Sequence, residues 1–452
     1  MGRKMAARLL PLFGFLFLTA YIRSASADIV YSDYIRLVNT YLEDVWSFRP
    51  YLHGDILTRI PANYPQRILN VVLFRYSTMF DMMLGAFFLA LSAWIAGRWC
   101  ERKQLPVIMT ALVLGFFFSL NKWEMLTNGS GWIHFAAFAL FWYHYLVWDR
   151  FIAGEGKPGD RVRLLLLPWI TILFFAGPYC GVYAVTLLIA EGFAVLVMRK
   201  PLKPALQRMF CTAAPLALYL MSRAVSVEER AGATTDPIGT VVREHPALLP
   251  SFFVRSFSSM VIGGETAEFL GLGRTVTLLF GISVLALYAW AFYINFREGL
   301  YRTATLPLFL LTSGFLNHVL VTASRWIFLN DAYGMSSRYA LQYQVGIIGI
   351  MLTFLLTADR DGQRRAFRRR AAVIIILVFS LGSGITTARE IHMAPYRQEH
   401  FIAMQQAAQE YEARTDKELT RALQYHDADR IRKALGILKR QGLNIYREQK
   451  QE

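Results

Sequence analysis

The sequence predicts an all-α, polytopic membrane protein. Its 452 residues are 55% hydrophobic and only 18% charged, whereas a soluble chain of this length is normally richer in charge. The apolar residues also form blocks of about 17–25 residues, the length that a helix needs to cross a bilayer. Eleven such segments are predicted, approximately at residues 6–24, 79–97, 105–121, 132–149, 163–177, 180–198, 205–222, 275–295, 303–322, 339–358 and 371–388.

The charges of the connecting loops predict the orientation. Basic residues concentrate in the N-terminus and in every second short loop, for example at Arg150, Lys157 and Arg161. Since such loops stay in the cytoplasm, the N-terminus is expected to be cytoplasmic, and the odd number of segments puts the C-terminus on the extracytoplasmic side. The net charge of +16 mostly reflects this asymmetry. The basic residues form no single face, so no nucleic-acid partner is expected.

The start of the chain admits a second interpretation. Arg3, Lys4 and Arg8, a short apolar core and the small residues 25–27 also fit a cleavable signal peptide, whose removal would eliminate the first segment. The three cysteines indicate neither a disulfide framework nor a metal cluster, because they fall on different segments or loop ends: Cys100, Cys180 and Cys211.

Four regions are predicted along the chain. They are a first transmembrane helix at 1–24, an extracytoplasmic loop at 25–78, a transmembrane bundle at 79–388 with an outer loop at about 223–274, and an extracytoplasmic helical tail at 389–452. The tail has apolar residues at helical spacing. Within it, Asp427 is expected to cap the start of a helix and Gly442 its end.

The first loop contains the carboxylates that the sequence favours for catalysis. Asp28 and Asp33 follow the first segment, where an acid at the water–lipid boundary is poorly screened on its apolar side. Either one is expected to act as the general base toward an acceptor hydroxyl. The alternative is that both are solvated loop acids. Glu43 and Asp44 are a weaker choice for the same role.

A second outer loop has the residue types that suit sugar binding. Trp123 and Trp132 bracket it, and Glu124 and Asn128 lie between them. Aromatic faces stack on the C–H groups of a pyranose, while polar side chains bind its hydroxyls. The alternative is that these tryptophans merely lie at a bilayer interface, where tryptophan is common.

Two arginines lie in one short outer loop, where the charge rule disfavours them. Arg325 and Arg338 are predicted to bind the phosphate of a polyprenyl carrier, because a guanidinium group pairs with phosphate bidentately. The adjacent Tyr339 is assigned to the sugar or acceptor. The alternative is that the arginines pair with Asp331 or with phospholipid headgroups.

Ionisable residues inside the predicted segments are also candidates by default. The alternative for Asp81 and Glu191 is that they reach water near a segment end. The alternative for the histidines is that they are hydrogen-bonded in the core; these are His134, His144 and His318. The sequence has no glycine-rich phosphate loop, zinc-ligand spacing or nucleophile-elbow serine, which disfavours ATP-driven transport and zinc hydrolysis. No metal or other cofactor is predicted.

Several short segments together resemble the GT-C class of membrane glycosyltransferases, in particular bacterial multi-spanning proteins related to O-antigen glucosyltransferases. They lie at 28–33, 59–85, 122–124, 334–339 and 438–446. The resemblance implies a GT-C-like fold and inverting transfer from a polyprenyl-phosphate sugar. It also implies that the base is an acid of the first outer loop, here Asp28 or Asp33.

The expected function is therefore sugar transfer from a polyprenyl-phosphate donor to an envelope glycan or glycolipid, within the membrane lipids and on the outer side of the inner membrane. Two alternatives belong to other classes: a translocase for lipid-linked oligosaccharides or another transporter, and a non-catalytic scaffold for envelope assembly. Transporters tend to have pseudo-symmetric halves, which this sequence lacks.

Overall fold

The computed structural model describes residues 2–50, 60–223, 232–358 and 365–447. Over these ranges the chain is helical, with turns and short loops and without a strand, which confirms the predicted all-α class. Residues 51–59 of the predicted first loop, 224–231 of the second large loop and 448–452 of the tail lie outside the described residues.

Nineteen α-helices form in the described ranges. In chain order they are α1 Gly2–Ala25, α2 Asp33–Tyr41, α3 Asn63–Phe74, α4 Thr78–Arg102, α5 Val107–Phe117, α6 Trp123–Thr127, α7 Trp132–Ile152, α8 Asp160–Ile170, α9 Cys180–Leu196, α10 Leu202–Arg223, α11 Ile238–Glu244, α12 Leu248–Ser258, α13 Gly264–Phe269, α14 Arg274–Arg297, α15 Leu306–Arg325, α16 Ala340–Ala358, α17 Arg365–Gln409, α18 Asp416–Ala422 and α19 Ala428–Gln441.

Eight helical stretches of the described chain are long and apolar enough to cross a membrane. They are Lys4–Ala25, Thr78–Arg102, Val107–Thr127, Gly177–Leu196, Arg274–Arg297, Leu306–Phe328, Ser337–Ala358 and Ala366–Gln409. Each contains one of the eleven predicted segments or most of it. The molecule thus fits a multi-pass membrane protein.

The other three predicted segments also form helices, but these helices are too short or too polar to be counted among the candidate membrane spans. The segment at 132–149 lies in α7, which is rich in Trp, Tyr and His and is almost wholly buried. The segment at 163–177 is divided between α8 and a π-turn, Thr171–Phe175, and the segment at 205–222 lies in the more polar α10. The count of eleven therefore stays a prediction.

Close helix packing holds the bundle together. At the crossing of α15 and α16, a Cβ atom added to Gly314 would lie 2.3 Å from the Cα atom of Gly346. Small residues allow such close backbone contact, which provides dispersion contacts where lipid gives no hydrophobic driving force between helices. Almost every residue of α16 is buried, so this helix is at the centre of the bundle.

A second hydrophobic core joins the first loop to the tail. Apolar residues of α2, including Ile35 and Val38, pack with those of α19, including Ile431 and Leu435. The backbone N–H of Ser32 donates to the carbonyl of Leu423 at 2.8 Å. The two regions therefore fold against each other, although almost the whole bundle separates them in sequence.

The ends of α19 are as predicted. The side chain of Asp427 accepts a hydrogen bond from the backbone of Arg430, and Gly442 adopts the left-handed conformation with φ 62°. Both caps satisfy backbone groups that a helix terminus leaves unpaired. The predicted start of the tail at residue 389 falls inside α17, which continues without a break through Pro395.

Candidate functional site

Asp28 belongs to a polar cluster at the junction of the bundle and the tail, in which its own carboxylate is fully bonded and the Asn444 carbonyl oxygen is buried without a described hydrogen-bond partner. Its carboxylate accepts hydrogen bonds from the Ser77 hydroxyl at 2.8 Å, the Thr78 backbone N–H at 2.7 Å and the Asn444 amide at 3.0 Å. Arg447 pairs with it at 3.3 Å. We call Asp28, Ser77, Thr78, Asn444 and Arg447 the polar tie. Because both oxygens of Asp28 accept hydrogen bonds, its environment is that of a structural carboxylate.

Asp33 lies in a different environment. It is the first residue of α2, and its side chain is 44% exposed, against 15% for Asp28. Its ion pair within the described structure is with Arg36, at 3.1 Å and one helical turn away. Asp33 therefore retains acceptor capacity that Asp28 has lost to its donors.

Tyr31 and Asp33 interact electrostatically with charged residues of two later loops, Glu124 and Arg338. Burial raises the pKa of the Tyr31 phenol; the negative charges of Glu124 and Asp33 raise it further, and the positive charge of Arg338 lowers it. Asp33 also interacts electrostatically with Arg338 and with His134. Tyr31 and Asp33 are thus near the predicted residues of both later loops. We call the end of the bundle that carries Asp33, Glu124 and Arg338 the site face.

Arg338 and Glu124, predicted separately for phosphate and for sugar, form an ion pair. The Nε of Arg338 lies 2.5 Å from Oε1 of Glu124. The Ser337 hydroxyl lies 3.3 Å from the other oxygen of Glu124 and donates to Glu265 at 2.8 Å. Glu124 therefore partly neutralises Arg338 and fixes its position.

Asp331, the alternative partner of the two site arginines, is occupied elsewhere. Its carboxylate pairs with Arg255 and Arg274 and accepts a hydrogen bond from Ser251. Burial opposes its ionisation, but these donors outweigh that effect and lower the pKa of Asp331. The alternative of pairing with Asp331 is thus wrong for the residues described: its arginine partners come from α12 and α14.

Arg325 has no carboxylate partner among the described residues. It is half-buried at the last turn of α15, and its charge interacts with the phenols of Tyr179 and Tyr339. Of these, Tyr339 is itself a predicted site residue and is buried. A half-buried guanidinium without a counter-charge favours an anionic ligand.

Two further polar side chains contact Tyr179. The amide of Gln342 donates to the Tyr179 hydroxyl at 2.7 Å, and the His134 ring packs edge-on against Tyr179 at 4.8 Å. Within the described structure, Oε1 of Gln342 and Nδ1 of His134 are buried without a hydrogen-bond partner. Such atoms are costly unless a polar ligand or water satisfies them.

We call the residues around Arg325 and Asp33 the open cluster. It comprises Asp33, His134, Tyr179, Arg325, Arg338, Tyr339 and Gln342. Sequence analysis identified four of these as site residues and noted His134 only as an ionisable group within a segment. Tyr179 directly follows Gly177 and Pro178 in the chain, whereas Gln342 has no distinguishing sequence feature.

The remaining predicted sugar-binding residues make mainly structural contacts. The Arg397 guanidinium carbon lies 3.2 Å from the centroid of the Trp123 ring and so covers one of its faces. Asn128 caps its own turn by accepting hydrogen bonds from Ser130 at 2.7 and 3.2 Å. Trp132 is buried in a small apolar cluster. Of this group, Glu124 contacts the open cluster through its ion pair with Arg338.

Carboxylates deeper in the bundle are paired. Asp81 accepts hydrogen bonds from Tyr34 and Asn70, both at 2.8 Å, and Glu191 forms a bidentate pair with Arg208 at 2.7 Å. Both acids are buried and bonded to protein groups, so the alternative that they reach water does not describe them. Throughout the described ranges, no group of three or more His, Cys, Asp or Glu side chains is placed to hold a metal ion.

Comparison with known proteins adds no assignment to this geometry. No protein-family model matches the chain, and a search of curated proteins finds no significantly similar sequence. Any functional conclusion therefore depends on the chemistry of the open cluster itself.

Proposed function

We propose that this protein transfers a sugar from a polyprenyl-phosphate donor to an envelope glycan or glycolipid at the site face. One observation supports this most. Arg325, a half-buried cation without a described counter-charge, lies at the end of an apolar bundle, in the same cluster as the half-exposed carboxylate of Asp33. This combination suits a substrate with a hydrocarbon tail, an anionic link and an acceptor hydroxyl.

The proposal includes the finer architecture that the sequence predicts. The protein would be a GT-C-like enzyme with eleven spans in a bacterial inner membrane, its N-terminus cytoplasmic and its C-terminus extracytoplasmic. The distribution of basic loop residues supports this orientation. It would place the open cluster and the tail on the outer side.

The chemistry assigns one role to each charged group. The acceptor hydroxyl oxygen attacks the anomeric carbon of the donor sugar, and Asp33 takes the hydroxyl proton as the general base. The bond between that carbon and the phosphate oxygen breaks, and the electron pair leaves with polyprenyl phosphate. Arg325 neutralises the charge that develops on this leaving group, and Arg338, shared with Glu124, assists it.

Gln342, Tyr179 and Tyr339 would bind the sugar hydroxyls. The Gln342 carbonyl oxygen is buried and lacks a described partner, so a donating sugar hydroxyl would satisfy it. This polar contact would orient the anomeric carbon toward Asp33. Trp123 and Glu124 would line the part of the sugar site that lies next to Arg338.

The test is a turnover assay with purified full-length protein and a panel of polyprenyl-phosphate sugars, in which released polyprenyl phosphate is measured. Asp33→Asn is expected to reduce turnover by about 10²–10⁴-fold, the usual contribution of a general base. Glu43→Gln is the matched control, because Glu43 is an exposed acid of the same loop that pairs with Lys433. It should retain full turnover.

Two outcomes would contradict the proposal. One is undiminished turnover in a folded Asp33→Asn variant, which would exclude the assigned base. The other is movement of lipid-linked sugar across proteoliposomes without any release of polyprenyl phosphate. That result would favour the translocase.

A further inference from the structure

An open groove lies between α13 and the part of α17 near the site face. Its volume is about 420 Å³, and it is lined by Phe269, Arg389, His392, Met393 and Tyr396. Phe269 and Tyr396 are largely exposed large aromatic side chains. The groove is outside the open cluster and has no role in the proposed transfer.

The groove continues an apolar stripe along α17. Ile374, Val378, Leu381 and Ile385 are all exposed and are spaced by three or four residues, so they follow one face of the helix. Within a candidate membrane span, such a face contacts lipid chains. The stripe therefore gives a hydrocarbon chain a continuous path toward the groove.

The same face changes from apolar to polar at Arg389. Arg389, His392 and Tyr396 extend the three- and four-residue spacing of the stripe beyond Ile385, at the end where the helix leaves its most apolar part. An acyl chain on the stripe would therefore place its headgroup among a guanidinium, an imidazole and a phenol.

The residues that line the groove include one cation, Arg389, and no carboxylate, which favours an anion. Glu390 is shared by Arg389 at 2.5 Å and Arg397 at 2.6 Å, so two cations flank one carboxylate. The Nε of Arg389 is buried and has no described hydrogen-bond partner, although its guanidinium carbon lies 5.2 Å from the Phe269 ring centroid. Glu265, whose charge also reaches Glu390, accepts hydrogen bonds from Ser337 and does not line the groove.

We propose that this groove binds an anionic phospholipid of the leaflet at the site face. The phosphate would pair with Arg389 and accept a hydrogen bond from His392, the glycerol region would contact Phe269 and Tyr396, and one acyl chain would follow the stripe on α17. The site is independent of the proposed transferase activity, since none of its residues belongs to the open cluster.

The test measures lipid retention by native mass spectrometry on the purified full-length protein, titrated with phosphatidylglycerol or with phosphatidylcholine. Wild type should retain phosphatidylglycerol in preference to phosphatidylcholine. Arg389→Gln should weaken this retention about tenfold, the equivalent of one charge-assisted hydrogen bond. Arg414→Gln is the matched control, because Arg414 is a tail arginine that pairs with Glu410; it should behave as wild type.

Two exposed positions keep the test decisive if Arg389→Gln does not fold. Phe269→Ala and His392→Asn change side chains at the mouth of the groove and should each reduce retention of phosphatidylglycerol. Equal retention by wild type and the folded groove variants would overturn the proposal. Equal retention of the two lipids by wild type would overturn it as well, because the site would not select an anion.

Discussion

The polar tie and the open cluster each contain an aspartate, an arginine and a side-chain amide, but they differ in how their charged groups are satisfied. In the polar tie, both oxygens of Asp28 accept hydrogen bonds from protein groups, although the Asn444 carbonyl oxygen is buried without a described donor. In the open cluster, Asp33 is half-exposed, Arg325 has no described carboxylate partner, and Gln342 retains a buried acceptor without a donor.

This difference separates a structural role from a binding role. A buried polar group that the protein satisfies fully contributes to stability and has nothing left for a ligand. A group that the protein leaves incomplete costs stability, and an external polar partner recovers that cost. The cluster whose charged groups, Asp33 and Arg325, remain incomplete is therefore a better candidate for function than the fully bonded Asp28.

The largest expected effect comes from breaking the polar tie. Asp28→Ala leaves several buried donors without an acceptor, and we expect it to lower the free energy of unfolding by about 3 kcal/mol. Asp33→Ala should change it by less than about 0.5 kcal/mol, as is usual for a surface position. Thermal unfolding of both variants in the same detergent measures the contrast. Similar losses in the two would remove the distinction between the regions.

The next effect concerns the two arginines of the open cluster. Arg325→Gln is expected to weaken binding of polyprenyl phosphate by at least about tenfold, since it removes a charge-assisted contact from a half-buried cation. Arg338→Gln should have the smaller effect, because Glu124 already shares that charge. Titration of the purified protein with polyprenyl phosphate compares them. A larger loss in Arg338→Gln would reverse the assigned roles.

Sequence reasoning was most successful where the physical cause is local. The caps of α19 follow from the residue types at Asp427 and Gly442, because a cap depends on its own turn. The helical class follows likewise from the lengths of the apolar blocks. The number of spans depends on more than the length of the apolar blocks, since a helix buried among others, such as α7, needs less apolar character than one that faces lipid.

The pairing of distant residues could not be predicted from the sequence. Asp28 and Asp33 both follow the first segment, so the sequence does not distinguish their roles. They differ because Asp28 accepts hydrogen bonds from Ser77 and Asn444, which are 49 and 416 residues away in the chain. Arg338 and Glu124 were both identified, but their ion pair joins loops 214 residues apart. Gln342 lies in an apolar helix, and only its burial beside Tyr179 marks it.

The stability of the loop between Arg325 and Arg338 is expected to depend on pH, because that loop contains Asp331. Because the folded protein lowers the pKa of Asp331, its pairing with Arg255 and Arg274 stabilises the loop above the ordinary aspartate pKa of about 3.9. This stabilisation is lost as the pH falls through the lower folded value. Hydrogen exchange at Tyr333–Met335 should therefore accelerate, relative to the rest of the chain, only in acid. Asp331→Asn should abolish that pH dependence, and an unchanged acid response in the variant would assign it to another group.

The smallest expected effect concerns an exposed ion pair that, like the polar tie, joins the first loop to the tail. Glu43 of the first loop pairs with Lys433 of α19 at 3.2 Å, but their side chains are 57% and 54% exposed. Solvent screens such a pair, and its usual contribution is about 0.2–1 kcal/mol. A double-mutant cycle of Glu43→Gln and Lys433→Gln should thus give a coupling energy near the lower limit. A coupling comparable to the loss in Asp28→Ala would mean that surface charge, rather than the buried acceptor, joins the first loop to the tail.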